Sequence, residues 1–92
     1  MSTHVQGKKI ADLMLYSLST CYWCNQLKQM LNDAGIDYTY IDVDRLAGRE
    51  KEDVQAKMDV HNPSGSFPCL VIDDTLVIQG FKKKKVKELL GI

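Results

Sequence analysis

The chain has no excess of charge of either sign: its 92 residues carry 12 Lys and Arg against 12 Asp and Glu. That balance removes the electrostatic case for a nucleic-acid or membrane-surface partner. No apolar run approaches the ~18 residues that a membrane span needs. Met1 to Lys9 is polar and lacks the hydrophobic region of a secretory signal. Cysteine is scarce and odd in number, at three residues. A disulfide-stapled secreted domain carries an even and denser set, so a reducing cytoplasm is the expected compartment. A second pair of metal ligands is also missing. Beside Cys21 and Cys24, only Cys69, His4 and His61 could ligate, and each stands singly. A structural zinc site would lack half its donors, and no metal ligand is expected.

What remains is one stretch with chemistry in it, Ser19-Thr20-Cys21-Tyr22-Trp23-Cys24. An apolar, strand-like run from Leu13 to Tyr16 precedes it, and a helical pattern of Leu27, Met30, Leu31 and Ala34 follows. A C-x-x-C at a strand-to-helix junction sets the first sulfur beside the free N–H groups of a new helix. Those groups and the helix dipole favour a thiolate. The second sulfur comes round within one turn, close enough to form a disulfide. The plainer reading, two inert core cysteines, fits this junction poorly.

Length and composition allow one domain with a modest core, since 45% of residues are apolar and 26% charged. Residues 1–10 read as a tail or irregular lead-in and residues 11–92 as the domain. Residues 11–18 form a strand with apolar residues on both faces, as a central strand requires. Ser19 and Thr20 suit a helix entry. The helix runs from about Tyr22 to Ala34, with Trp23, Leu27, Met30, Leu31 and Ala34 on one stripe and Gly35 as its stop. Asp37 to Asp44, aromatic and β-branched, is a second strand. Leu46 to Val60 is a charged, exposed helix with Val54 and Met58 on its thin apolar face. His61 to Ser66 is a loop by its turn residues. Phe67–Ile72 and Thr75–Gln79 are strands joined at Asp73-Asp74 as an antiparallel hairpin. Gly80 breaks the last strand, and Val86, Leu89 and Leu90 mark a closing amphipathic helix.

The order is βαβαββα. A strand–helix–strand opening implies parallel pairing with a right-handed crossover. The hairpin and final helix complete an α/β fold with a four-stranded mixed sheet flanked by three helices. A C-x-x-C beside a βαβ pattern is the sign of a thioredoxin-like redox centre.

At this point the chain resembles the glutaredoxin family of the thioredoxin superfamily, over about Asp12 to Leu90. Three motifs carry the resemblance: Thr20-Cys21-Tyr22-Trp23-Cys24, Ser66-Phe67-Pro68 and Gly80-Phe81. It implies a dithiol oxidoreductase in which Cys21 attacks a substrate disulfide and Cys24 resolves the mixed disulfide. It implies a cis-proline at Pro68 facing the two cysteines, with the backbone of Phe67 pairing to the substrate chain. Substrate contacts are expected from Thr20, Tyr22, Trp23, Phe67, Pro68, Gly80, Phe81 and Lys82. The family's Cys-Pro-Tyr-Cys is here Cys-Tyr-Trp-Cys. Leu18 stands where glutathione-binding members carry a lysine, Phe81 where they carry a second glycine, and Lys82 and Lys83 where they often carry an acid. Gly80-Phe81 followed by a basic residue is more similar to the ribonucleotide-reductase redoxins, which thioredoxin reductase reduces. Both glutathione and a thioredoxin-reductase-like enzyme therefore stand as electron donors.

Three further readings stay open at this level. Cys69 is either a small buried strand residue or a third redox or metal-binding sulfur. Lys82-Lys83-Lys84-Lys85, with Lys87, is either a solvated face or a positive rim beside Cys21. Cations at a helix N-terminus oppose its dipole by roughly 0.3–1 kcal/mol each, which favours the rim. The alternative function is a glutathione-ligated 2Fe–2S cluster dimer. The leading expectation is a monomeric reductase of protein or small-molecule disulfides that works through Cys21 and Cys24 and requires no cofactor.

Overall fold

A computed structural model describes residues 2–61 and 65–92. The elements run β1 (Thr3–Val5), β2 (Leu13–Ser17), α1 (Tyr22–Asp33), β3 (Tyr38–Asp42), one 3₁₀ turn (Val43–Arg45), α2 (Gly48–His61), β4 (Cys69–Ile72), β5 (Leu76–Gln79) and α3 (Lys83–Leu90). Part of the loop expected at residues 61–66 falls on 62–64, outside the described residues. His61 itself closes α2.

The sheet order is β1-β3-β2-β4-β5. β2 lies at its centre, parallel to β3 and antiparallel to β4. Its composition explains the position. Leu13 and Leu15 enter one apolar cluster with Leu27 and Leu31 of α1 and Val86 and Leu90 of α3. Tyr16 enters a second cluster on the opposite face, with Val54 and Met58 of α2. β4 alternates in the same way, Leu70 and Ile72 to the first cluster and Cys69 and Val71 to the second. A strand covered on both faces needs apolar residues at odd and even positions alike, and both strands have them.

The expected hairpin forms. The Thr75 N–H donates to the Ile72 carbonyl at 3.1 Å. Asp73 and Asp74 both take positive φ, 52° and 60°. Aspartate tolerates the left-handed region that such a turn requires, because its short polar side chain bonds locally. Here the Asp73 carboxylate accepts from the Asp12 N–H at 2.9 Å.

The N-terminus corrects the sequence reading. The expected tail or irregular lead-in contains a strand: Thr3–Val5 pairs antiparallel with β3, so the sheet among the described residues has five strands rather than four. The exposed edge of β3, Tyr38-Thr39-Tyr40, offers the ladder, and three residues are too short to show a period. His4 is likewise not solitary. Its Nε2 lies 2.8 Å from the Asp37 carboxylate. That hydrogen bond holds the Asp37 carboxyl below its ordinary pKa of 3.8. Lys8 adds a bridge to Ile36, and its N–H donates to the Gly35 carbonyl at 2.8 Å.

The pairing directions fix where chemistry can occur. The C-terminal ends of β2, β3 and β5 and the N-terminal end of β4 all reach the same edge of the sheet.

Gly7 allows the N-terminal segment to lie against the chain after α1. A Cβ there would stand 2.6 Å from the Gly35 carbonyl oxygen and 2.9 Å from the Asp37 nitrogen. Both are backbone atoms and cannot rotate away. Gly7→Ala is expected to destabilise the fold by about 1–3 kcal/mol, as overpacking typically does. Thermal unfolding should show a midpoint lower by several degrees, and an unchanged midpoint would refute this account of the N-terminus.

Candidate active site

β2 ends at Ser17, and the chain turns through Leu18, Ser19 and Thr20 into α1. The turn is anchored from the 3₁₀ segment after β3. The Ser19 N–H donates to the Asp44 carboxylate at 2.8 Å, and the Ser19 hydroxyl donates to the same group. Those bonds lower the Asp44 pKa. The Cys21 N–H returns to the Leu18 carbonyl at 3.2 Å.

The helix cap is not Ser19 or Thr20, as the sequence suggests, but Cys21. Its backbone is extended (φ −80°, ψ 118°), and its Sγ accepts from the Cys24 N–H at 3.3 Å. A sulfur thus fills the place that an N-cap oxygen normally fills. No acidic residue stands in the first turn of α1 to compete for the positive end of the dipole.

The two sulfurs have opposite surroundings. Cys21 is half-buried, whereas Cys24 is 0% exposed. Burial, followed by the hydrogen bond with Cys21, pushes the Cys24 thiol up to about 12, while a Leu18 backbone hydrogen bond and the charge of Lys28 act the other way. The buried stripe of α1 is therefore Cys24, Leu27 and Leu31. Trp23, expected on that stripe, is 54% exposed, and Tyr22 is 64% exposed. The Trp23 ring instead stacks on Phe81, with centroids 5.5 Å apart and planes 19° apart. Tyr22 meets Trp23 edge-on at 4.9 Å.

The Phe67–Pro68 bond is cis. The Pro68 carbonyl accepts from the Gly80 N–H at 2.7 Å, which joins the start of β4 to the end of β5. Cys69 pairs with Tyr16 of β2, so Pro68, one residue earlier, falls beside the end of the strand that feeds Cys21. The three sequence-distant motifs thus share one edge, with direct contact between Gly80 and Pro68 and between Phe81 and Trp23. Thr20 and Lys82 lie exposed at its margins. Lys82 opens α3 without a side-chain cap. Lys82 to Lys85 and Lys87 are all exposed, and among the described residues none of them forms an ion pair.

Cys69 takes its plainer reading. It is 0% exposed, faces the α2 cluster and not α1, and burial pushes its thiol up to about 11. Among the described residues, no group of three or more His, Cys, Asp and Glu is placed to hold a metal, and no helix is long and apolar enough to cross a membrane.

One group escaped the sequence reading. Lys28 Nζ lies 2.9 Å from Asp42 Oδ1, and both side chains are largely buried. The hydroxyl of Ser17, itself fully buried, donates to the same carboxylate oxygen at 2.6 Å. Asp42 looks like a strand end in sequence. The available signal was the spacing of Lys28, one helical turn after Cys24.

Residues 13–77 match the family model described as Glutaredoxin. The chain is 43% identical to the glutaredoxin of Methanosarcina mazei Go1, whose crystal structure superposes with a TM-score of 0.89 over 99% of this chain and 88% of that one. It is 40% identical to the methanoredoxin of Methanosarcina acetivorans, with a TM-score of 0.88 over 94% of this chain and 90% of that one. It is also 36% identical to the Gene 56 protein of Mycobacterium phage D29, covering 85% of this chain and 81% of that protein.

The difference between the sulfurs is directly measurable. Brief treatment of the reduced, folded protein with iodoacetamide near neutral pH should add one adduct, mapped by mass spectrometry to Cys21. Cys24 and Cys69 should react only after unfolding, and early labelling of either would contradict the burial described. The same burial sets a pH dependence. Both thiols are raised from an ordinary 9.0, to about 12 and about 11, so the neutral form is favoured by folding. Their contribution is fully present below pH 9 and is lost as pH rises towards those values. Urea midpoints of the reduced protein should fall steadily above pH 9.

Proposed function

Because the chain belongs to the glutaredoxin family, we propose that it is a dithiol reductase of protein disulfides, working through Cys21 and Cys24. The observation that carries the reading is the contrast between a half-buried, helix-capping Cys21 and a wholly buried Cys24 one turn on. The Cys21 thiolate attacks one sulfur of the substrate disulfide. A mixed disulfide forms, and the other substrate sulfur leaves and takes a proton. Cys24 then loses its proton and attacks Cys21 Sγ. The Cys21–Cys24 disulfide closes, and the substrate leaves with both of its sulfurs as thiols. Two electrons from the donor restore the pair.

The exposed Tyr22 and Trp23, with the half-buried Phe81, supply an aromatic platform beside Cys21. The backbone of Phe67, before Pro68, is the proposed pairing edge for an extended substrate segment. Thr20 and Gly80 border that groove. Lys82 and Lys83, uncompensated by acids, form a positive rim suited to acidic partners. The chemistry needs no resident cofactor, because electrons enter and leave as thiol pairs.

On the donor side, a hydrophobic Phe81 and a cationic rim replace the second glycine and the acid of the usual glutathione cradle. This favours a thioredoxin-reductase-like enzyme over glutathione. The protein is read as a monomer. A 2Fe–2S cluster would have to be shared between copies, since a single chain offers only Cys21 at the surface. Anaerobic purification separates the two readings: a colourless monomer for the reductase, a brown dimer for the cluster.

Reduction of a disulfide substrate should be assayed with each donor supplied separately, glutathione with its reductase and then thioredoxin reductase. Cys21→Ser should abolish turnover with either. Cys24→Ser should accumulate the mixed disulfide. Support by glutathione alone would overturn the preference for the enzymatic donor. Replacing Lys82 and Lys83 by Gln should lower kcat/KM for an acidic substrate by roughly 3–10-fold at low salt, with the difference vanishing at high salt. An equal loss at all ionic strengths would remove the rim from substrate recognition.

A further inference from the structure

Resolution of the mixed disulfide presents a difficulty. The attacking group must be the thiolate of Cys24, yet Cys24 is wholly buried, and burial disfavours its charged form. Something near it must offset that penalty once Cys21 has reacted.

We infer that Lys28, held in place by Asp42 and Ser17, is the positioning residue that enables Cys24 to attack the mixed disulfide. The inference rests on the dithiol reading above. Its basis is geometric. Lys28 follows Cys24 by four residues on α1, so the two share one helix face. Long side chains on a helix lean back towards the preceding turn, which carries the Lys28 ammonium towards Cys24. The head group is confined there. It meets Asp42 Oδ1 at 2.9 Å and lies 4.2 Å from the centre of the Tyr40 ring. Its side chain is 15% exposed, and that of Asp42 is 18% exposed. Ser17 completes the mounting, since its hydroxyl bonds both Asp42 and the Ile41 carbonyl.

A plainer reading makes this an ion pair that merely ties β3 to α1. Burying such a pair is a poor way to gain stability, because desolvation offsets much of the attraction. A lysine mounted one turn from a buried thiol has a use that the plainer reading leaves idle.

The sequence of events follows from the groups around Cys24, which are Cys21, Lys28 and, beyond it, Asp42 and Tyr40. In the reduced protein, burial keeps Cys24 neutral, and the hydrogen bond with Cys21 and the charge on that sulfur add to it. Once Cys21 Sγ is bound in a mixed disulfide, its charge is gone. Lys28 and the Leu18 backbone hydrogen bond remain to favour the thiolate. Cys24 then gives up its proton, its sulfur bonds Cys21 Sγ, and the Cys21–substrate S–S bond breaks. The departing thiolate takes up one proton, so the ammonium of Lys28 is unchanged across the step. Cys24 thus becomes nucleophilic only after Cys21 has reacted.

The test separates the two steps with 5,5′-dithiobis(2-nitrobenzoate). Attack by Cys21 releases one thionitrobenzoate, and collapse by Cys24 releases the second, in a distinct phase of a stopped-flow trace. Lys28→Met should leave the first phase within about twofold. It should slow the second by on the order of tenfold at neutral pH and move its pH midpoint up by about one unit, the effect of removing one nearby opposite charge. Lys28→Arg keeps the charge and should recover most of the rate. A second phase in Lys28→Met with unaltered rate and pH profile would overturn the inference. So would a Lys28→Arg protein that melts normally but collapses as slowly as Lys28→Met. Absence of a second phase in the parent protein would instead sink the dithiol reading, and this inference with it.

Discussion

β2 lies between β3 and β4, and its antiparallel register against β4 is the constraint on which the rest of the site depends. The pairing of Tyr16 with Cys69 sets the start of β4 beside the end of β2. Through Gly80 and the Pro68 carbonyl it also fixes where β5 ends and where Phe81 emerges. A slip of one residue would exchange the two faces of β4, sending Cys69 and Val71 towards α1 and α3 and Leu70 and Ile72 towards α2. Both clusters would then be mismatched in volume. Core packing and active-site assembly are therefore one condition, enforced by the same side chains.

The site divides its two sulfurs between two kinds of environment. Cys21 caps a helix in partial contact with solvent. Cys24 belongs to the apolar face of α1 with Leu27 and Leu31. That placement shields the Cys24 sulfur from solvent, and the same burial disfavours its thiolate. The Lys28–Asp42–Ser17 group stands at the junction of β2, β3 and α1.

The outer surface has a different logic. Tyr22 and Trp23 are large groups left in solvent; Trp23 stacks on the partly buried Phe81, and Tyr22 meets Trp23 edge-on. Beside them, α3 begins with exposed lysines where the helix dipole disfavours positive charge. The aromatic stack also accounts for Trp23. The helical period alone points it inward, but its contact lies across the helix boundary, with a residue far along the chain.

Much of the molecule could be read without coordinates, because local rules carry it. Alternation and composition located the central strand, the hairpin and all three helices, and the spacing of Cys21 and Cys24 marked a C-x-x-C motif of the family. What needed the tertiary structure were contacts between segments distant in sequence. Thr3–Val5 is a strand only because the edge of β3 is there to receive it, and His4 has a partner only because that pairing brings it to Asp37. The cap of α1 is Cys21, because Ser19 is occupied by Asp44. Asp42 resembles any strand end until β3 lies beside β2 and faces Lys28. The sequence by itself determined the C-x-x-C pair and which faces must be buried, since periodicity and motif spacing are local properties. Only the fold decided which sulfur is shielded, what stands beside it and which aromatics remain in solvent, since burial and proximity exist only after the chain has closed on itself.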